Sequence, residues 1–205
     1  MKKFFITFIL IVVMLFGAVS CTRSDPTTDA SDSHSEAYVS WAYGFNSLEE
    51  IANAPIVDLI AVGEIADIVG VSKTKIAEDG QRTIYMYFTD YSFKIDHVLK
   101  GKEVEEVLIH QTGAEGQKES IIAQDPLFQP GEKYVLFLHE YEPGKTYVVG
   151  GPDGRFKIIG DNVYSMHYFL SDEVYPLNNG IINVDGMKIS DFEASIIKKL
   201  NQVEE

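Results

Sequence analysis

Residues 82–101, RTIYMYFTDYSFKIDHVLKG, constrain the fold more than any other stretch. Tyr91, Phe93, Ile95 and Leu99 share one parity, with Ser92, Lys94 and Asp96 between them. Side chains two residues apart point to the same face of an extended chain, so this pattern predicts a strand with one buried face. Upstream, Ile84, Met86 and Phe88 take the opposite parity. A straight strand sends two such sets to opposite faces. A β-bulge near Thr89 and Asp90 is the expected remedy, because one extra residue restores a common face and lets a long strand coil around a barrel corner.

The neighbouring segments repeat the theme. Residues 57–76 are rich in β-branched side chains, with Gly63 and Gly70 permitting bends. A turn at Lys100-Gly101 leads to a strand over 106–112, and a long connection over 113–131 carries Gly113, Gly116, Pro126 and Pro130. Residues 133–141, KYVLFLHEY, form the next strand and end at Pro143-Gly144. TYVVGG follows, then a turn at Pro152-Asp153-Gly154, then RFKIIG and NVYSM across Gly160-Asp161. At least six strands at this short spacing predict an all-β sandwich or barrel.

Helices are expected only at the ends. Ser47 and Glu50 form a capping box, and Pro55 stops that helix early. Residues 175–189 read as a small hairpin. Ser190 and Glu193 form a second capping box, before a stripe of Phe192, Ile196, Leu200 and Val203 at helical spacing. That stripe predicts a terminal amphipathic helix packed on the strands. Its only basic residues are Lys198 and Lys199, too few for a membrane-surface helix.

The N-terminus has its own logic. Lys2 and Lys3 precede an apolar run over residues 4–19, shorter than the roughly 20 residues of a spanning helix. Ala18, Val19 and Ser20 then lead to Cys21, the only cysteine. This resembles a bacterial lipoprotein signal, which is cut just before a cysteine carrying a diacylglyceryl thioether. The resemblance implies a signal peptide over 1–20, lipidation of Cys21, a lipid bilayer as partner, and an address on the extracytoplasmic face of the bacterial cell membrane. Residues 22–36 have no large apolar side chain, so 21–40 is expected to be a flexible tether that includes His34. With no second thiol, the fold cannot depend on a disulfide. The formal net charge of −14 opposes nucleic acid and anionic headgroups alike.

YSFKIDHVLKG, a strand, a loop, FQPGEKYVLFL and a glycine-rich turn together resemble the netrin-like module over roughly residues 57–165. Tissue inhibitors of metalloproteinases use the same OB-type barrel. The resemblance implies an OB/netrin-like β-barrel, and with the elements read above it gives a mainly β fold: a barrel domain over 41–165 with a short N-terminal helix, and a C-terminal hairpin and amphipathic helix over 166–205. It also suggests a protease-inhibitor module, in which a free N-terminal cysteine would chelate zinc. Here the Cys21 sulfur is expected to carry lipid, so that role does not transfer.

Catalytic patterns are sparse. No Gly-x-Ser-x-Gly elbow occurs. His139-Glu140 opens like a zinc-protease motif, but Pro143 stands where the second histidine belongs. Around Asn183-Val184-Asp185-Gly186, a calcium loop would need acidic ligands at Ile181 and Phe192. No metal or cofactor is therefore expected. His97 shares the parity of Phe93 and Ile95, which reads as a hydrogen-bonded histidine on or beside the core. The leading expectation is a non-enzymatic binding or interaction module with a protein or envelope partner. The alternative is an extracytoplasmic hydrolase built around His97, His110 or His139.

Overall fold

The computed structural model describes residues 44–78, 80, 83–117, 125–170, 182 and 184–202. Cys21, the 1–20 signal, the 21–40 tether, most of the 175–189 hairpin and Val203 lie outside the described residues.

The protein is mainly β. Its strands are β1 (Leu59–Glu78), β2 (Thr83–Lys100), β3 (Glu106–Thr112), β4 (Lys133–Glu142), β5 (Lys145–Val148), β6 (Arg155–Ile159), β7 (Asn162–Ser165) and β8 (Met187–Lys188). They join in one mixed sheet of order β1-β2-β3-β5-β4-β6-β7-β8, and β1 also pairs with β4. The extra pairing closes a ring through five strands. Every contact in the ring is antiparallel except β3 with β5. Helices α1 (Leu48–Ala52) and α2 (Ile189–Asn201) complete the described structure, with 3-10 turns at Gly151–Gly154 and Met166–Phe169.

β1 and β4 explain the arrangement. Both contain unbroken apolar runs, LIAV and YVLFL, instead of a clean alternation. Such runs fit strands buried on both faces. Leu59, Ala61, Tyr134, Leu136 and Leu138 join Tyr91, Phe93 and Ile109 in one core. Ile60, Val62, Val135 and Phe137 face the other way, into a second core with Phe156, Val163, Phe192 and the α1 residues Leu48 and Ile51. α2 contributes Phe192 and Ile196 to that second core, as the stripe predicts.

Gly63 shows how tightly β1 is held. It pairs with Ile95 on one side and Tyr134 on the other. A Cβ there would stand 2.1 Å from the Lys94 carbonyl oxygen. The obstacle is backbone, which cannot rotate away. Gly63→Ala is expected to destabilise the fold by about 3 kcal/mol, the upper end for overpacking, as read from a urea midpoint.

Three expectations need correction. The bulge predicted at Thr89-Asp90 is absent from β2, where residues 88–94 pair continuously with β3. The extra residues lie on β1, at Ala66 and Val69, opposite that stretch. Phe88 therefore keeps the parity opposite to Tyr91 and serves a different face. His97 is not beside the core. β2 shifts register between Ile95 and His97, and the imidazole lies half exposed, its Nε2 3.0 Å from Glu193 Oε1 on α2. The second capping box also fails: α2 starts at Ile189 with Lys188 at its N-cap and no side-chain cap, so Ser190 already lies inside the helix, and Glu193 bonds His97 instead. The first box holds, with Ser47 Oγ accepting from Glu50 N–H at 3.1 Å, while Glu50 reaches back to the amide of Asn46 at 2.9 Å.

Candidate functional site

The ring has one weak closure. β3 and β5 pair only through Leu108 with Lys145 and Ile109 with Thr146. The Thr146 hydroxyl adds a 3.0 Å bond to the Leu108 carbonyl. Beyond this bridge β3 stays with β2, while β5 stays with β4 and turns off after Val148, where the Val149 amide donates to the Phe137 carbonyl at 2.8 Å. The two strands part, and a cleft of about 440 Å³ opens between them. His110, Gln111 and Thr112 line one wall; Tyr147, Val148 and Gly151 line the other. Phe88 and Tyr141 stand over it, and Phe128 and Asp125 contribute from the 113–131 connection.

Local pairing aims these side chains. Asp90 and His110 are direct cross-strand partners on β2 and β3, which places their side chains on one face. His110 Nδ1 lies 2.5 Å from Asp90 Oδ1, and its ring stacks on Phe88 at 4.5 Å. Tyr141 is the extra residue of a bulge in β4, between Glu140 opposite Thr146 and Glu142 opposite Lys145. Bulges re-aim side chains in this way. The Tyr141 ring lies 5.9 Å from His110 and 5.7 Å from Tyr147, and Tyr147 meets His139 edge-on at 5.2 Å. Four strands thus supply a continuous row of rings. Tyr141 is 38% exposed. Partial burial and the nearby Glu142 and Asp90 charges raise its phenol pKa, and Lys145 pulls the other way.

Beneath the slot lies a buried cation. Arg155 is only 1% exposed. Its Nη1 donates to Asp125 Oδ1 at 3.2 Å and to the Pro126 carbonyl at 2.5 Å, and its Nη2 donates to the Tyr134 hydroxyl at 3.0 Å. The guanidinium lies over Phe128 at 3.7 Å and near the Tyr134 ring at 4.9 Å. Gln111 ties this assembly to β3: its Oε1 accepts from the Phe128 amide at 3.2 Å, and its Nε2 donates to the Pro126 carbonyl at 3.2 Å. Burial raises the Asp125 pKa more than the Arg155 charge lowers it. Burial also raises the phenol of Tyr134, and pushes that of Tyr91 up to about 12.

The histidines singled out in the sequence fall in three places, each with its own carboxylate. His97 pairs with Glu193, His110 with Asp90, and His139 with Asp58 at 2.6 Å. Only His110 lines the slot. His167, in the second 3-10 turn, lies 2.8 Å from Asp153 Oδ1, and the other Asp153 oxygen accepts from the Phe45 amide at 3.2 Å. Asp153 thereby pins the N-terminal segment to the strands, a role its turn context does not reveal. Among the described residues, no three His, Cys, Asp or Glu side chains gather to hold a metal, and no helix is long and apolar enough to cross a membrane. Chemically, the slot can stack flat or cationic groups on its rings, one of which, His110, is bonded to the Asp90 carboxylate. No protein-family model matches the chain, and no curated protein matches it.

Proposed function

We infer that the protein is a non-enzymatic, lipid-anchored extracytoplasmic binding module, held to the membrane at Cys21 and binding through the slot between β3 and β5. The slot carries the reading. It is concave and largely apolar, it is built from four strands of the ring, and a few polar groups converge on it, which is how binding sites are composed. The ring order β1-β2-β3-β5-β4, with β3 parallel to β5, supports an OB/netrin-like barrel. OB barrels are partly open and bind through the strand 2–3 face and adjoining loops. The anchor rests on the apolar run and lone cysteine of the first 21 residues.

A photo-crosslinking residue in place of Tyr141, in the full chain expressed in its own membranes, tests both halves. The expected result is a discrete adduct that is missing when the same residue replaces Tyr168, which is 60% exposed on a 3-10 turn. Mass spectrometry of the same material should show lipid-modified Cys21 at the mature N-terminus. Identical adducts from both positions would remove the slot from the reading. An unmodified N-terminus would remove the anchor.

A further inference from the structure

We propose that the slot receives the cationic side chain of an Arg- or Lys-bearing segment of a basic partner protein, seated on the Tyr141 and His110 rings beside the Asp90 and Glu142 carboxylates. This rests on the slot being the binding site and adds the class of its ligand.

Three observations converge. First, the rings form a row, from Phe88 to His110 to Tyr141 to Tyr147, with centroids 4.5 to 5.9 Å apart. The face of an aromatic ring attracts cations, and Arg in particular also stacks on it. Second, carboxylates flank the row. Asp90 and Glu142 act on the Tyr141 phenol through their charge, and Asp90 bonds His110 through Oδ1. Lys145 answers Glu142 at 3.3 Å, which among the described residues leaves Asp90 as the carboxylate beside the rings that has no lysine against it. On a chain of net charge −14, an anionic guest would be repelled and a basic one steered in. Third, the chain already binds one guanidinium by the same chemistry a layer below, where Arg155 lies over Phe128 beside Asp125. That internal cation has its own carboxylate, Asp125, 3.2 Å away.

The partner is an extended segment and not a small cation alone. Ile84 and Met86 precede Phe88 at two-residue spacing and run away from the slot along the β1–β2 hairpin. Ile84 is 50% exposed, and at this spacing it shares one face of β2 with Met86 and Phe88. This gives an apolar track leading to the slot, which a peptide backbone could follow while its basic side chain enters.

Calorimetric titration of the full chain at about 0.15 M salt, where a surface charge acts over only about 8 Å, tests the idea. The probes are acetyl-Gly-Arg-Gly-Arg-Gly-amide, the same peptide with citrulline in place of arginine, and a chitin trisaccharide. Citrulline keeps the planar shape and removes the charge. The arginine peptide is expected to bind at least ten times more tightly than the citrulline peptide. Tyr141→Ala and Asp90→Asn should each weaken it about five- to tenfold. Asp161→Asn, which removes an exposed carboxylate in the β6–β7 turn, should leave it unchanged. Equal affinity for the two peptides, or preference for the trisaccharide, overturns the proposal. Equal weakening by Asp161→Asn and Asp90→Asn also overturns it, because binding would then follow overall charge. If the arginine peptide fails while the Tyr141 crosslink captures a partner that is not basic, the binding-module reading stands and only the ligand class falls.

Discussion

Asp125→Ala is expected to lower the unfolding free energy by about 3–5 kcal/mol. The loss arises from what remains. Arg155 is almost wholly buried, and a buried charge that loses its partner is costly. Without Asp125 it retains the Pro126 carbonyl, the Tyr134 hydroxyl and two aromatic faces, but no counter-charge among the groups that hold it. The converse variant, Arg155→Met, should be milder, since a buried carboxyl can become neutral by taking up a proton. The pKa of Asp125 is already raised by burial in the wild-type chain.

A sign follows for pH. The folded state holds the Asp125 proton more tightly than the unfolded chain does. The contribution of this group to stability is therefore fully present below the ordinary carboxylate pKa and falls as pH rises through the folded value. In Arg155→Met that dependence should steepen, because the opposing charge is gone. Urea unfolding of both variants at pH 5 and pH 8 checks the prediction. A loss below about 1 kcal/mol for Asp125→Ala would class the pair with solvated surface bridges and contradict its buried role.

Phe192→Ala is expected to lose about 3–5 kcal/mol by leaving a cavity at the centre of the second core. The Phe192 ring is fully buried and lies 4.9 Å from that of Phe156, which in turn meets Phe137 at 5.6 Å. The chain of rings runs from α2 through β6 to β4. Two ion pairs of α2 are exposed: His97 with Glu193, and Lys199 with Glu49 at 2.9 Å. Such pairs contribute at most about 1 kcal/mol each, so they cannot hold the helix once the ring is removed. Ile197→Ala, on the 45% exposed side of the same helix, should change stability by less than about 0.5 kcal/mol. Thermal unfolding of the two variants side by side separates docking of the buried face from helix propensity.

These elements differ in how far the sequence reveals them. The strands were legible because β propensity, alternation and turn residues are local. The α1 cap was legible for the same reason, as Ser47 and Glu50 are three residues apart. The bulge went to the wrong strand because two parities in β2 can be reconciled by the partner: β1 takes the extra residues and Phe88 is left to line a different face. His97 was misplaced by the same device, a register shift that alternation within one strand cannot show. The slot could not be read at all as a unit. Its rings come from β2, β3, β4 and β5, and the parting of β3 from β5 depends on where each is held by a third strand. The nearest local hint was Tyr141, Pro143-Gly144 and Tyr147, two aromatics around a tight turn. Arg155 and Asp125 lie thirty positions apart, one opening an apolar strand and the other in a loop, and neither context announces a buried pair.

β4 is hydrogen-bonded to β1, β5 and β6, and its alternate side chains enter both cores. It is a party wall. The layer that carries the slot and the layer that carries α1 and α2 lean on the same ten residues, Lys133–Glu142. There is no seam along which the chain could be cut to give a free-standing binding half. A shortened version ending after β5 would bare Val135 and Phe137 along the whole outer side of the ring. Any attempt to minimise the protein must keep its far end.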